Sequence, residues 1–110
     1  MPPGTYIVMS GEKLGEEAVF GIVYIKVNWR PINSYDSKFV PLRPKEISGA
    51  AWNGHIKLKD KLTAEGSYRY TDTHASGSHK INLIRKGVLK VNIRSDENPG
   101  YHQFIYWVKI

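Results

Sequence analysis

The chain has 110 residues and 41% hydrophobic content, enough for one domain with a sizeable core and too apolar for a disordered segment. It contains no cysteine, which excludes disulfide bridges and thiolate metal sites. Sixteen Lys and Arg against ten Asp and Glu leave a charge of +6, which favours anionic partners, although these cations are spread along the chain as they would be on a solvated face.

Residues Thr5 to Met9 read as a short strand closed by Ser10-Gly11. The following Gly11-Glu-Lys-Leu-Gly-Glu-Glu stretch has the composition of a helical turn capped by Ser10, weakened by Gly15 in its interior. Residues 1–17 are therefore set apart as an N-terminal segment, with the β domain proper over 18–110. The strongest strand begins at Ala18, where Val19, Val23, Ile25, Val27 and Trp29 share one parity. Residues 30–38, with Pro31, Asn33, Ser34, Asp36 and Ser37, have the composition of a polar loop, and Phe39-Val40-Pro41 that of a short edge strand.

Asn53-Gly54 between Trp52 and the alternating His55 to Lys59 predicts a hairpin turn. A charged connector leads to a strand over 66–71 that carries Tyr68 and Tyr70 on one face, and residues 72–78 read as a loop. Lys80 to Arg85 and Val88 to Ile93 flank Lys86-Gly87 as a second hairpin, and His102 to Ile110 form the last strand after the turn at Asp96 to Gly100. About seven strands at regular spacing with no long helix predict a β-sandwich or a small barrel.

No stretch reaches the roughly 20 apolar residues of a membrane-spanning helix. The opening Met1-Pro2-Pro3-Gly4 lacks the basic n-region of a secretory leader, so the expectation is a cytoplasmic protein or an extracellular one exported unconventionally. No phosphate-binding glycine loop, nucleophile elbow or zinc-protease helix is present, so neither a catalytic residue, a metal site nor a cofactor is expected. His74, His79 and His102 leave open a small toxin-like ribonuclease, since two histidines and a lysine around a phosphate would suffice. Tyr68-Arg69-Tyr70 and the lysines flanking Leu58 leave open a single-stranded nucleic-acid-binding domain. A protease inhibitor or other protein-binding sandwich is also compatible with loops of this kind.

Asn28-Trp29, then Pro31 and Asn33-Ser34-Tyr35-Asp36, with the run from Glu65 to Gly87, Val88 to Ile93, Asp96 to Gly100 and Phe104 to Ile110, resembles the fungal immunomodulatory proteins. The resemblance spans residues 18 to 110 and implies an immunoglobulin-like sandwich of the fibronectin type III kind, whose N-terminal segment pairs two subunits into a homodimer. It also implies lectin-like, immune-modulating binding of cell-surface glycans or glycoprotein receptors. The glycan-binding residues it points to are Trp29, Asn33, Tyr35, Asp36 and Trp107. An indole stacks on a sugar's C–H face while a carboxylate accepts from its hydroxyls.

Overall fold

The computed structural model describes residues 3–11, 18–28 and 33–110. Eight strands alternate in direction and close on themselves in sequence order. They are β1 (Gly4–Met9), β2 (Val19–Asn28), β3 (Ser34–Pro41), β4 (Trp52–Leu58), β5 (Thr63–Tyr70), β6 (Ser76–Arg85), β7 (Val88–Ser95) and β8 (His102–Lys109). One short helix, α1 (Lys45–Ser48), lies between β3 and β4. The chain is thus a closed eight-stranded antiparallel barrel, and the expected sandwich of about seven strands is overturned.

Closure depends on β1. Its residues Gly4 to Met9 pair with β2, and Tyr6 to Met9 also pair with β8, from Tyr6 against Lys109 to Met9 against Tyr106. A barrel closed in this way leaves no strand edge exposed. The sequence signal for a sandwich and for a barrel is the same, because both need strands buried on one face with neighbours paired in chain order. What separates them is the β1–β8 pairing, between segments about a hundred residues apart, which no local pattern encodes.

Side chains alternate in and out along each strand. The inward set builds one core, in which Tyr6, Val23, Leu89, Val91 and Trp107 are fully buried and Ile56, His79 and Ile81 nearly so. Glycines make room where the inner wall is crowded. A Cβ at Gly77 would stand 2.2 Å from the Arg94 carbonyl oxygen and 2.3 Å from the Tyr68 hydroxyl. Tyr68 lies over that gap and donates from its hydroxyl to the Arg94 carbonyl at 3.0 Å.

Three local expectations are corrected. Asn53-Gly54 is no turn, for it sits inside β4 with Gly54 opposite Ser37 on one side and Tyr68 on the other. The hairpin turn would need a left-handed backbone at both residues. Neither has one, and the reversal is made earlier, through α1 and Gly49 at φ 77°. Residues 34–38 are no loop but the first half of β3, whose alternation was masked by the polar Ser37 buried between Tyr35 and Phe39. The connector before Tyr68 is also shorter than expected, since β5 begins at Thr63. The expected helical turn near Gly15 falls on residues outside the described set. At its base Ser10 Oγ accepts the Ala18 amide at 3.0 Å.

Candidate functional site

The two ends of the barrel differ. At one end the β6–β7 turn is only Lys86-Gly87, with Gly87 at φ 75°, and the β4–β5 turn is tied by Asp60 Oδ1, which accepts the amides of Leu62 and Thr63 at 2.8 and 2.9 Å. These hydrogen bonds hold the Asp60 carboxyl below its ordinary pKa. At the other end the connections before β2, β4 and β8 are long, and the interior opens into a cavity of ≈ 500 Å³.

Aromatic rings form the wall of this cavity: Phe20 from β2, Phe39 from β3, Trp52 from β4, Tyr68 and Tyr70 from β5, and Trp107 from β8. Trp52 is the hub of the cluster. Its ring centre lies 5.8 Å from Phe39, 5.8 Å from Tyr68 and 6.1 Å from Trp107. The strands that supply these rings bring them together because inward positions on neighbouring strands fall in register, Phe39 opposite Trp52 and Trp52 opposite Tyr70. The rim is polar. Residues of α1 stand on one side and Asn98, Tyr101 and Gln103 on the other, and α1 is pinned to the β5–β6 turn by Lys45 Nζ on Asp72 Oδ2 at 2.9 Å. That contact raises the Lys45 pKa and lowers that of Asp72.

Among these rings sits His79, 1% exposed. Its ring centre is 4.8 Å from Tyr68, 4.9 Å from Trp52 and 5.3 Å from Trp107. Both of its nitrogens and Trp107 Nε1 are buried without a hydrogen-bond partner among the described residues. Burial in this aromatic cage pushes the imidazole pKa down to about 3, so His79 is neutral at any ordinary pH. Its neighbour Tyr68 has its hydroxyl pKa pushed up, first by burial and then by Tyr70.

Those of the expected glycan-binding residues that are described are not gathered on one surface. Trp107 is 0% exposed and points into the barrel, whereas Asp36 points outward from β3. Asp36 Oδ1 accepts from Asn28 Nδ2 at 3.3 Å and lies 2.7 Å from His55 Nδ1. Asn33, in the turn before β3, has a left-handed backbone at φ 64°. Tyr35 is half-buried and packs against the core from within. Trp29 lies outside the described residues. His74 lies on the β5–β6 turn and His102 on the outside of β8, both exposed, so neither shares a surface with the sealed His79. Among the described residues no three His, Asp or Glu side chains converge on a point that could hold a metal ion.

Sequence reasoning assigned His79 to the edge of a loop and Trp52 to the edge of a turn. The one signal that could have placed them is parity: His79, Ile81 and Leu83 alternate with Lys80 and Asn82, and Trp52, Ile56 and Leu58 with Asn53, His55 and Lys57. Comparison of the chain with protein-family models, with curated proteins and with solved structures finds no match.

Proposed function

We propose that this chain is a non-catalytic binding protein that holds one small, planar, largely apolar molecule in the mouth of its barrel. The observation that carries the reading is the aromatic-walled cavity of ≈ 500 Å³ opening between α1 and the β7–β8 connection. Its volume falls within the roughly 300–1,000 Å³ typical of small-molecule sites, and barrel mouths are a recurrent place for them. An eight-stranded barrel is about the narrowest that can hold a ligand, because its interior is otherwise filled by its own side chains. Here the interior nearer the short turns is filled by residues such as Ile56, Ile81 and Leu89, and the cavity lies above the packed rings at the mouth.

The wall chemistry selects the ligand class. Flat rings stack face-on or edge-on with Trp and Tyr, each pair adding about 0.5–1.5 kcal/mol beyond buried area. The polar rim of Asn98, Tyr101 and Gln103 would meet one hydrophilic end of such a molecule.

The anilinonaphthalene sulfonate dye is a flat aromatic probe with one charged end. It should bind one molecule per chain at neutral pH and quench the fluorescence of Trp52 and Trp107. Gln103→Trp at the exposed rim and Ile93→Trp on the wall should each weaken that binding by about tenfold or more, with cooperative thermal unfolding retained. Dye binding that both substitutions leave unchanged overturns the reading.

A further inference from the structure

A second concavity, of ≈ 890 Å³ and open to solvent, lies on the outside of the barrel across β2 to β6. Strand register arranges its outward side chains in two rows that run across the strands. Tyr24, Lys38, Asn53, Arg69 and Ser76 form one row, and Lys26, Asp36, His55, Ser67 and Ser78 the next. Between the rows lies the inward-facing line Gly54, Tyr68 and Gly77, in which the two glycines present no side chain.

The polar groups of this face differ in their partners. Asp36 is taken up by Asn28 and His55, and Asp96 accepts from Ser76 Oγ at 2.8 Å. Lys26, Lys38 and Arg69 form no ion pair with any described residue. Lys38 and Arg69 are two strands apart, a backbone separation of roughly 10 Å that their long side chains can close to any smaller spacing. Tyr24, 47% exposed, stands at the end of their row, next to both lysines.

We infer that this groove binds single-stranded nucleic acid, with Lys26, Lys38 and Arg69 on successive phosphates and a base stacked on Tyr24. Charge complementarity favours a polyanion, since the groove sets the cations Lys26, Lys38 and Arg69 against the carboxylates Asp36 and Asp96 alone, and the chain carries +6. The aromatic ring beside the cations selects bases over a bare acidic polymer, because stacking platforms interleaved with cations are how single strands are held. The curvature of the wall selects a flexible strand, since a duplex stays stiff over about 150 base pairs and would touch the barrel along one line only. The groove and the mouth are separate openings with Tyr68 bordering both, so neither assignment depends on the other.

The test is fluorescence anisotropy of a labelled twelve-nucleotide oligothymidylate with the full chain, followed across sodium chloride concentration. Neutralising three phosphates on a single strand predicts a log–log salt slope of about −2. Lys38→Glu combined with Arg69→Glu should weaken binding about tenfold or more and flatten that slope. Tyr24→Ala should weaken it about fivefold or more. Lys61→Glu, an exposed residue of the β4–β5 turn outside the groove, should change it less than about twofold. The inference is overturned by the absence of binding at low salt, or by a loss for Lys61→Glu as large as for the double variant. It is equally overturned if Tyr24→Ala has no effect while dextran sulfate competes fully, for the surface would then be a general polyanion face.

Discussion

His79 and Tyr68 share one wall of the core and meet opposite electrostatic fates. The imidazole has no partner for either nitrogen among the described residues and stays neutral down to about pH 3, while the phenol donates to the Arg94 carbonyl and resists ionisation upward. A histidine whose folded pKa lies below its unfolded value binds fewer protons folded than unfolded over the interval between the two. Its contribution is therefore fully present above about pH 6.5 and is lost as pH falls from there toward about 3. We expect the melting temperature to drop steadily between pH 6.5 and pH 4, at roughly 1 kcal/mol of stability per pH unit. In His79→Phe, which keeps a flat ring and removes two unpartnered nitrogens, that slope should disappear and stability at pH 5 should rise. Differential scanning calorimetry of both proteins at several pH values reads this directly. The lowered pKa values of Asp60 and Asp72 do not confuse the result, because their stabilisation is present above 3.8 and is lost only as pH falls below it.

At the scale of single strands, the glycines are as informative as the apolar residues. Gly54 and Gly77 lie inside strands, where glycine normally weakens a sheet. Each is tolerated because a neighbouring backbone comes closer than a side chain would allow: a Cβ at Gly54 would stand 2.3 Å from the Ser67 carbonyl oxygen, and one at Gly77 2.2 Å from that of Arg94. Gly77→Ala should cost about 2–3 kcal/mol, as expected for overpacking against rigid backbone and the Tyr68 ring. Gly100→Ala, with nothing within 4 Å of the added atom, should cost far less. Urea denaturation of the two variants separates steric crowding from a general effect of removing glycine, since both lose the same backbone freedom in the unfolded state.

The whole molecule rests on closure by its first strand. β1 contributes Tyr6, Val8 and Met9, all buried, and hydrogen-bonds to both β2 and β8. Losing large buried side chains costs about 2–5 kcal/mol each, so removing three approaches the roughly 5–15 kcal/mol that holds a domain together. It would also uncover two strand edges. A chain truncated through Gly11 should therefore be unfolded or aggregated, by circular dichroism and size-exclusion chromatography. A folded monomer after truncation would show that β1 is dispensable to the barrel and leave residues 1–17 free for the role in subunit pairing that the resemblance to immunomodulatory proteins implies.

The sequence by itself determined the all-β class, most strand positions, the Lys86-Gly87 hairpin and the absence of cysteine chemistry, because alternation and left-handed turns are properties of neighbouring residues. It misplaced Asn53-Gly54 and the start of β3, where a polar Ser37 inside and a crowded Gly54 broke the local rules for reasons lying on adjacent strands. Of the residues expected to act together, parity sends Trp107 inward and Asp36 outward, a separation that only the direction of each strand around a common axis decides. Tertiary structure alone closed the sheet through the β1–β8 pairing, walled the mouth with rings from five strands and enclosed His79 among them. Each depends on register between distant segments, and register is fixed by how side chains from different strands fill one interior.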